Sequence, residues 1–250
     1  MDEEWIDRLL SHADMAPNRT GHAVIPAGPP EWGGRHSALD VTDRLRHDLG
    51  LGWLYYAFVR SLRPSTVVCI GSGRGFVPVL LAKALADLHA DHPIMFVDPS
   101  FDDDFWRDAA AVRRWFATFD VDKHIQHHLM TTEQFTATQE FAELPLIDFL
   151  FIDGGHFYET VRTDYDLLTP KLAAGATVMM HDTVSRSANP KWSGPRQLLL
   201  EVAQTDPDWQ LLDLPFGAGV TILRRQPMQC TQEYFDGLCA DWPHPGSLDF

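Results

Sequence analysis

The sequence predicts an α/β protein built on a doubly wound, mostly parallel sheet, and three observations carry that reading. Short apolar runs, several of them β-branched, recur at residues 66–70, 94–97, 125–130, 146–152 and 176–180. Helical periodicity fills the intervals between most of them. The runs also stop abruptly, at Gly71, Asp98, Asp153 and His181-Asp182. Buried parallel strands end this way where they open on a ligand cleft.

The elements follow in order. An amphipathic helix opens the chain, with Trp5, Ile6, Leu9 and Leu10 at helical spacing. The Pro/Gly-rich stretch 17–34 then interrupts regular structure, and residues 45–62 read as a second helix. Its aromatic residues Trp53, Tyr55, Tyr56 and Phe58 are expected in the core. After the first strand comes a helix at 76–90, which tolerates Pro78 because it lies in the first turn. Further helices are expected at 106–119, 158–168 and 195–204. Asp102-Asp103-Asp104 reads as a helix cap or a solvated acidic face. Strands at 209–214 and 220–223, joined by Pro215-Phe216-Gly217-Ala218-Gly219, form a terminal hairpin. No composition break divides the chain, so residues 1–250 are read as one domain. Residues 1–60 form an N-terminal extension covering the active site, and 226–250 a tail.

Composition narrows the function. A formal net charge of −15 opposes gripping of a nucleic-acid backbone and docking on anionic membrane. Cys69, Cys230 and Cys239 are too scattered for a disulfide scaffold or a metal knuckle. The acidic start and the lack of a long apolar run point to a cytoplasmic protein. The expected partner is a small molecule, with a homo-oligomer as a further option.

The strand ends carry the chemistry. Gly71-Ser72-Gly73-Arg74-Gly75 lets the backbone turn sharply and approach a ligand. A dinucleotide fingerprint needs a third glycine where Phe76 stands. Asp98, closing the second strand, can accept hydrogen bonds from ribose hydroxyls. Loop and aspartate together favour a nucleoside ligand. Asp153-Gly154-Gly155-His156 and His181-Asp182 place two carboxylates and two imidazoles at neighbouring strand ends. Such carboxylates can chelate a hard cation such as Mg²⁺. His124, His127, His128 and His244 lack ligand spacing and read as structural.

Taken together these segments resemble the class I S-adenosylmethionine-dependent methyltransferases. More narrowly they are similar to the small-molecule O-methyltransferase group that includes macrolide-sugar and catechol O-methyltransferases. The residues concerned are 68–75, Val97-Asp98, 151–158 and His181-Asp182, and Asp153-Gly154-Gly155-His156-Phe157-Tyr158 is the most specific. The resemblance implies a Rossmann-like, seven-stranded sheet whose last strand is antiparallel. It implies S-adenosylmethionine as cofactor, with Gly71, Ser72 and Gly73 against the methionine part and Asp98 on the ribose. Thr131 or Thr132 would border the adenine, and Asp153 would adjoin the cofactor. In metal-dependent members, carboxylates matching Asp153 and Asp182 bind Mg²⁺, here with His181 beside them, while His156 matches a general base. Two departures stand out: Cys69 where many relatives have Glu, and His181 where metal users often have a second acid. The expected reaction is O-methylation of a small-molecule hydroxyl. An NAD-dependent oxidoreductase and a non-catalytic nucleoside-binding module are the alternatives.

Overall fold

A computed structural model describes residues 1–17, 21–24, 48–101, 104–184 and 193–225. Among them, β1 (Val67–Gly71), β2 (Ile94–Val97), β3 (Ile125–His128), β4 (Ile147–Asp153) and β5 (Leu172–His181) are followed by β6 (Trp209–Leu214) and β7 (Val220–Arg225). The helices are α1 (Glu3–Leu10), α2 (Gly52–Leu62), α3 (Phe76–Asp87), α4 (Ala109–Ala117), α5 (Thr132–Thr136), α6 (Gln139–Glu143), α7 (Tyr158–Leu168) and α8 (Gly194–Thr205). The strands form one sheet in the order β3-β2-β1-β4-β5-β7-β6. All neighbours are parallel except β7, which runs antiparallel to both β5 and β6. This is the seven-stranded sheet expected, closed by its antiparallel hairpin.

Strand β1 explains the continuous apolar runs, because every one of its residues is buried. Val67 and Cys69 point to one face, among Trp5, Leu9, Tyr55, Leu80, Phe116 and Phe151. Val68 and Ile70 point to the other, with Leu150, Tyr165, Leu198 and Leu223. A strand covered on both sides has no polar face to alternate with. Helix α3 is buried along most of its circumference for the same reason. Helix α1 belongs to the first face, where Trp5 Nε1 donates to the Phe119 carbonyl at 2.8 Å.

The second helix starts later than expected, at Gly52. At Gly50 the backbone has φ +55°, and a Cβ there would lie 2.4 Å from the His22 carbonyl oxygen. Residues 21–24 therefore pack against this turn, and Leu51 N–H donates to that same carbonyl at 2.8 Å. Strand β5 begins at Leu172 rather than 176, and α4 is shorter than the helix expected over 106–119. Expectations about Asp102, Asp103, Cys230, Cys239, His244, residues 45–47 and the tail 226–250 fall outside the described residues.

Strand order reverses between β1 and β4, which are neighbours within the sheet. In open α/β sheets the ligand cleft lies above the carboxyl ends of such a pair. Gly71 is paired in register with Asp153 there, so the glycine turn and the acidic strand end share one rim.

Candidate active site

The glycine turn has the geometry of a loop built for close approach. Gly71 has φ +72°, and a Cβ on it would fall 2.2 Å from the Asp153 carbonyl oxygen, so no side chain fits. Gly73 has φ +51°, and a Cβ there would meet nothing within 4 Å, so the turn borders open space. Ser72 holds φ +110°, a costly value for a non-glycine residue, while its Oγ accepts from Val77 N–H at 3.1 Å. Two indoles fix the far side of the turn. Trp106 Nε1 donates to the Gly73 carbonyl and Trp115 Nε1 to the Arg74 carbonyl, each at 3.0 Å.

Asp98 follows β2 on the neighbouring strand, and its Oδ1 accepts Ser100 N–H at 2.7 Å. Thr131 closes a capping box at the start of α5, sharing hydrogen bonds with Gln134. Thr132 is buried, and its hydroxyl bonds to the Asp164 carboxyl. The turn and Asp98 thus stand on adjacent strand ends, with the two threonines one strand further along the sheet.

On the other side of β1 lies a chain of polar contacts. Asp153 ends β4, His156 sits in the loop that leads into α7, and His181 with Asp182 ends β5. His156 Nε2 lies 2.7 Å from Asp182 Oδ2. His181 Nδ1 lies 3.0 Å from Asp153 Oδ1 and 3.3 Å from Asp182 Oδ2. Asp182 adopts φ +56°, in the left-handed region that aspartate enters more readily than most non-glycine residues. Gly194 N–H, at the start of α8, donates to the His156 carbonyl at 3.1 Å and anchors the loop. A small cleft lined by Ile152, Asp153, His156, Met180, His181 and Pro195 adjoins these groups.

Two members of this chain escaped the sequence. His22 lies in the Pro/Gly-rich stretch, yet its ring is buried, with Nε2 3.7 Å from Asp153 Oδ2. Tyr55, expected as plain core, brings its hydroxyl 2.8 Å from His22 Nδ1. No spacing rule reports a contact between segments so far apart in sequence. The only hint was a histidine next to a glycine in an otherwise unassigned loop.

Charge follows from these contacts. Burial drives the His22 imidazole well below its usual value, helped by the nearby His181 charge, so His22 is neutral. Burial would also lower His181, but the Asp153 carboxylate and then Asp182 outweigh it and push the group up to about 10. Burial raises the Asp153 carboxyl, with His181 opposing. For Asp182, burial is overcome by hydrogen bonds from His156 and His181, which hold it well below the usual carboxylate range. The same hydrogen bond to Asp182 raises His156, against its own desolvation.

These residues form two groups with ligand atoms within 4.8 Å of one another: Asp153, His156 and Asp182, and His22, Asp153 and His181. Mg²⁺ takes an octahedral shell of oxygens. In the first group, the Asp182 oxygen facing the cluster already meets imidazole nitrogens of both His156 and His181. In the second, two of the three donors are imidazole nitrogens rather than oxygens, and the rings of His22 and His181 lie with centroids 3.9 Å apart, tilted by 33°. The sequence expectation of magnesium on Asp153, His181 and Asp182 is therefore not matched by the donors present. The cofactor expectation meets no such obstacle, since an open-sided glycine turn faces the cleft.

Fold and site together resemble those of the class I S-adenosylmethionine-dependent methyltransferases. More narrowly, residues 68–183 match the family model Methyltransf_24, a methyltransferase domain. Among solved structures, an O-methyltransferase from Bacillus cereus in complex with SAH superposes with a TM-score of 0.61 at 14% identity, covering 90% of this chain and 92% of that one. The O-methyltransferase TomG from Streptomyces achromogenes, involved in tomaymycin synthesis and in complex with SAM, gives 0.54 at 16% identity, covering 70% and 79%. The SAH-bound Podospora anserina methyltransferase PaMTH1 gives 0.53 at 19%, covering 90% and 97%. At these identities the likeness is one of fold. A curated relative, uncharacterized protein y4gI of Sinorhizobium fredii (strain NBRC 101917 / NGR234), is 27% identical over 202 residues, 80% of this chain and 20% of that protein. The chain thus spans about a fifth of that relative's length. No helix among the described residues is long and apolar enough to cross a membrane.

Proposed function

We propose that the protein transfers a methyl group from S-adenosylmethionine to a hydroxyl of a small molecule, with His156 as general base. The observation that carries this is the His156–Asp182 contact at 2.7 Å, on the strand end next but one to the glycine turn. When bound, S-adenosylmethionine supplies a methyl group already activated on its sulfonium sulfur and leaves as S-adenosylhomocysteine.

The chain's own residues do the rest. Gly71 and Gly73 let the backbone approach the cofactor, and Trp106 and Trp115 hold the carbonyls of Gly73 and Arg74 to one side. Asp98 accepts the ribose hydroxyls. Neutral His156 keeps its proton on Nε2 toward Asp182, which makes Nδ1 the basic nitrogen. That nitrogen takes the acceptor's hydroxyl proton as oxygen attacks the methyl carbon, and Asp182 stabilises the imidazolium formed. His22, from the N-terminal segment, contributes to the polar chain beside Asp153. O-methyltransferase names among the structural neighbours agree with a hydroxyl acceptor.

The oxidoreductase alternative is disfavoured by Phe76, which is fully buried and stacks on His22 where a pyrophosphate loop needs glycine. Incubating the protein with S-adenosylmethionine and a panel of sugar and phenolic hydroxyl compounds, and reading S-adenosylhomocysteine release, tests the proposal. Release with amine acceptors only would refute the hydroxyl assignment.

A further inference from the structure

Two carboxylates, Asp153 and Asp182, stand together at neighbouring, partly buried strand ends, where like charges are relieved by a cation between them or by a shared proton. The chain supplies one. The His181 side chain is 1% exposed, and its Nδ1 faces Asp153 Oδ1 at 3.0 Å and Asp182 Oδ2 at 3.3 Å. We propose that the His181 imidazolium is the built-in counter-ion of this pair, seated where a divalent cation would otherwise bridge the carboxylates, so that the His156–Asp182 dyad works without a metal.

Two contacts support the assignment. The neutral His22 ring lies against His181 with centroids 3.9 Å apart, presenting a π face to the charge. Tyr55 fixes His22 from behind, through the 2.8 Å contact at Nδ1. The ring meets both carboxylates through its Nδ1, while its buried Nε2 has no hydrogen-bond partner among the described residues, a cost that the two carboxylates must offset. His156 engages the same Asp182 oxygen at 2.7 Å, so both neighbours of that oxygen are imidazole nitrogens. A further double charge would have to displace them.

The proposal rests on the methyltransferase reading only for the role of the dyad, and the test separates the two. Full-length protein, stripped by chelator and loaded with S-adenosylhomocysteine, is titrated with Mn²⁺ while free Mn²⁺ is followed by electron paramagnetic resonance. The expected parent binds Mn²⁺ no tighter than about 1 mM, weaker than built cation sites, and unfolds at the same temperature in chelator and in Mn²⁺. His181→Asp, with three carboxylates and no internal cation, is expected to gain one bound Mn²⁺ at an affinity at least about 10-fold above the parent, with Mn²⁺-dependent thermal stabilisation. His181→Asn, which keeps an N–H without the charge, should lose thermal stability and gain no Mn²⁺.

One tightly held Mn²⁺ in the parent, abolished by Asp153→Asn, overturns the proposal. So does a folded His181→Asp chain that ignores Mn²⁺. If that variant does not fold, the parent titration decides by itself. Failure of S-adenosylhomocysteine to bind the parent would count instead against the methyltransferase reading.

Discussion

Nε2 of His156 lies 2.7 Å from Oδ2 of Asp182, so an imidazole on a mobile-looking sequence motif is tethered to the next strand end. A base held in this way has its tautomer set and its conjugate acid stabilised, the two requirements for accepting a proton at a chosen place. His156→Ala is expected to lower methyl transfer by about 10²–10⁴-fold with cofactor affinity unchanged. Calorimetry with S-adenosylhomocysteine beside a turnover assay separates the two effects, and an unimpaired variant removes the base.

The same contact predicts a pH dependence. The Asp182 hydrogen bond raises His156 above its ordinary value, and only the neutral ring serves as base. The rate should therefore rise with pH through that raised pKa. Asp182→Asn removes the main cause of the shift, so the rising limb and the His156 proton resonance in NMR titration should both move to lower pH. A limb that stays in place contradicts the coupling.

Asp98→Ala should weaken S-adenosylmethionine binding by roughly 1.5–3 kcal/mol, the worth of hydrogen bonds to a charged acceptor. Because Asp98 also accepts Ser100 N–H, far-ultraviolet circular dichroism is needed to show that the fold is kept. Parental affinity in a folded variant would put the ribose elsewhere.

Trp106 stacks on Phe116 at 5.5 Å and 18°, and donates to the Gly73 carbonyl. Trp106→Phe keeps an aromatic ring and deletes the donor. Loss of one hydrogen bond costs about 1 kcal/mol, so S-adenosylhomocysteine affinity should fall by about 5-fold if the bond shapes the turn. Lower thermal stability with unchanged affinity would make the indole a packing residue only.

Asp164 gives a stability test away from the chemistry. Burial lifts its carboxyl from 3.8 to about 6, against the Thr132 hydrogen bond that lowers it. A folded-state pKa above the unfolded one means the folded chain binds this proton more tightly. Its contribution is present below the unfolded value and is lost as pH rises through about 6, a change of roughly 3 kcal/mol. Asp164→Asn should thus gain stability relative to the parent between about pH 4 and about pH 7 in denaturant titrations. A difference that does not vary with pH contradicts the buried-acid account.

Most of the sheet was legible because parallel strands buried on both faces leave unbroken apolar runs. Strands β2 and β6 and helix α7 fall where the periodicity placed them. The short helices α5 and α6 were not legible. They are organised by Thr131 and Thr138 caps rather than by an apolar stripe, and polar caps in a polar stretch give no period. At the site, the strand-end rule found Gly71, Asp98, Asp153, His156, His181 and Asp182, since topology alone carries those positions to one rim. It missed His22 and Tyr55, which arrive through packing between remote segments. The reading of His181 as a metal ligand is where the counter-ion proposal departs from the sequence, because spacing conveys proximity to carboxylates and not which partner carries the proton.

Isothermal titration of the full-length protein with S-adenosylhomocysteine, and separately with NAD, bears most directly on the assignment to S-adenosylmethionine chemistry. The glycine turn at Gly71 to Gly75, with Phe76 in place of a third glycine and Asp98 on the next strand, calls for saturable binding of S-adenosylhomocysteine at one site and no heat from NAD. Binding should weaken in Asp98→Ala. Saturable binding of NAD with none of S-adenosylhomocysteine would contradict the account.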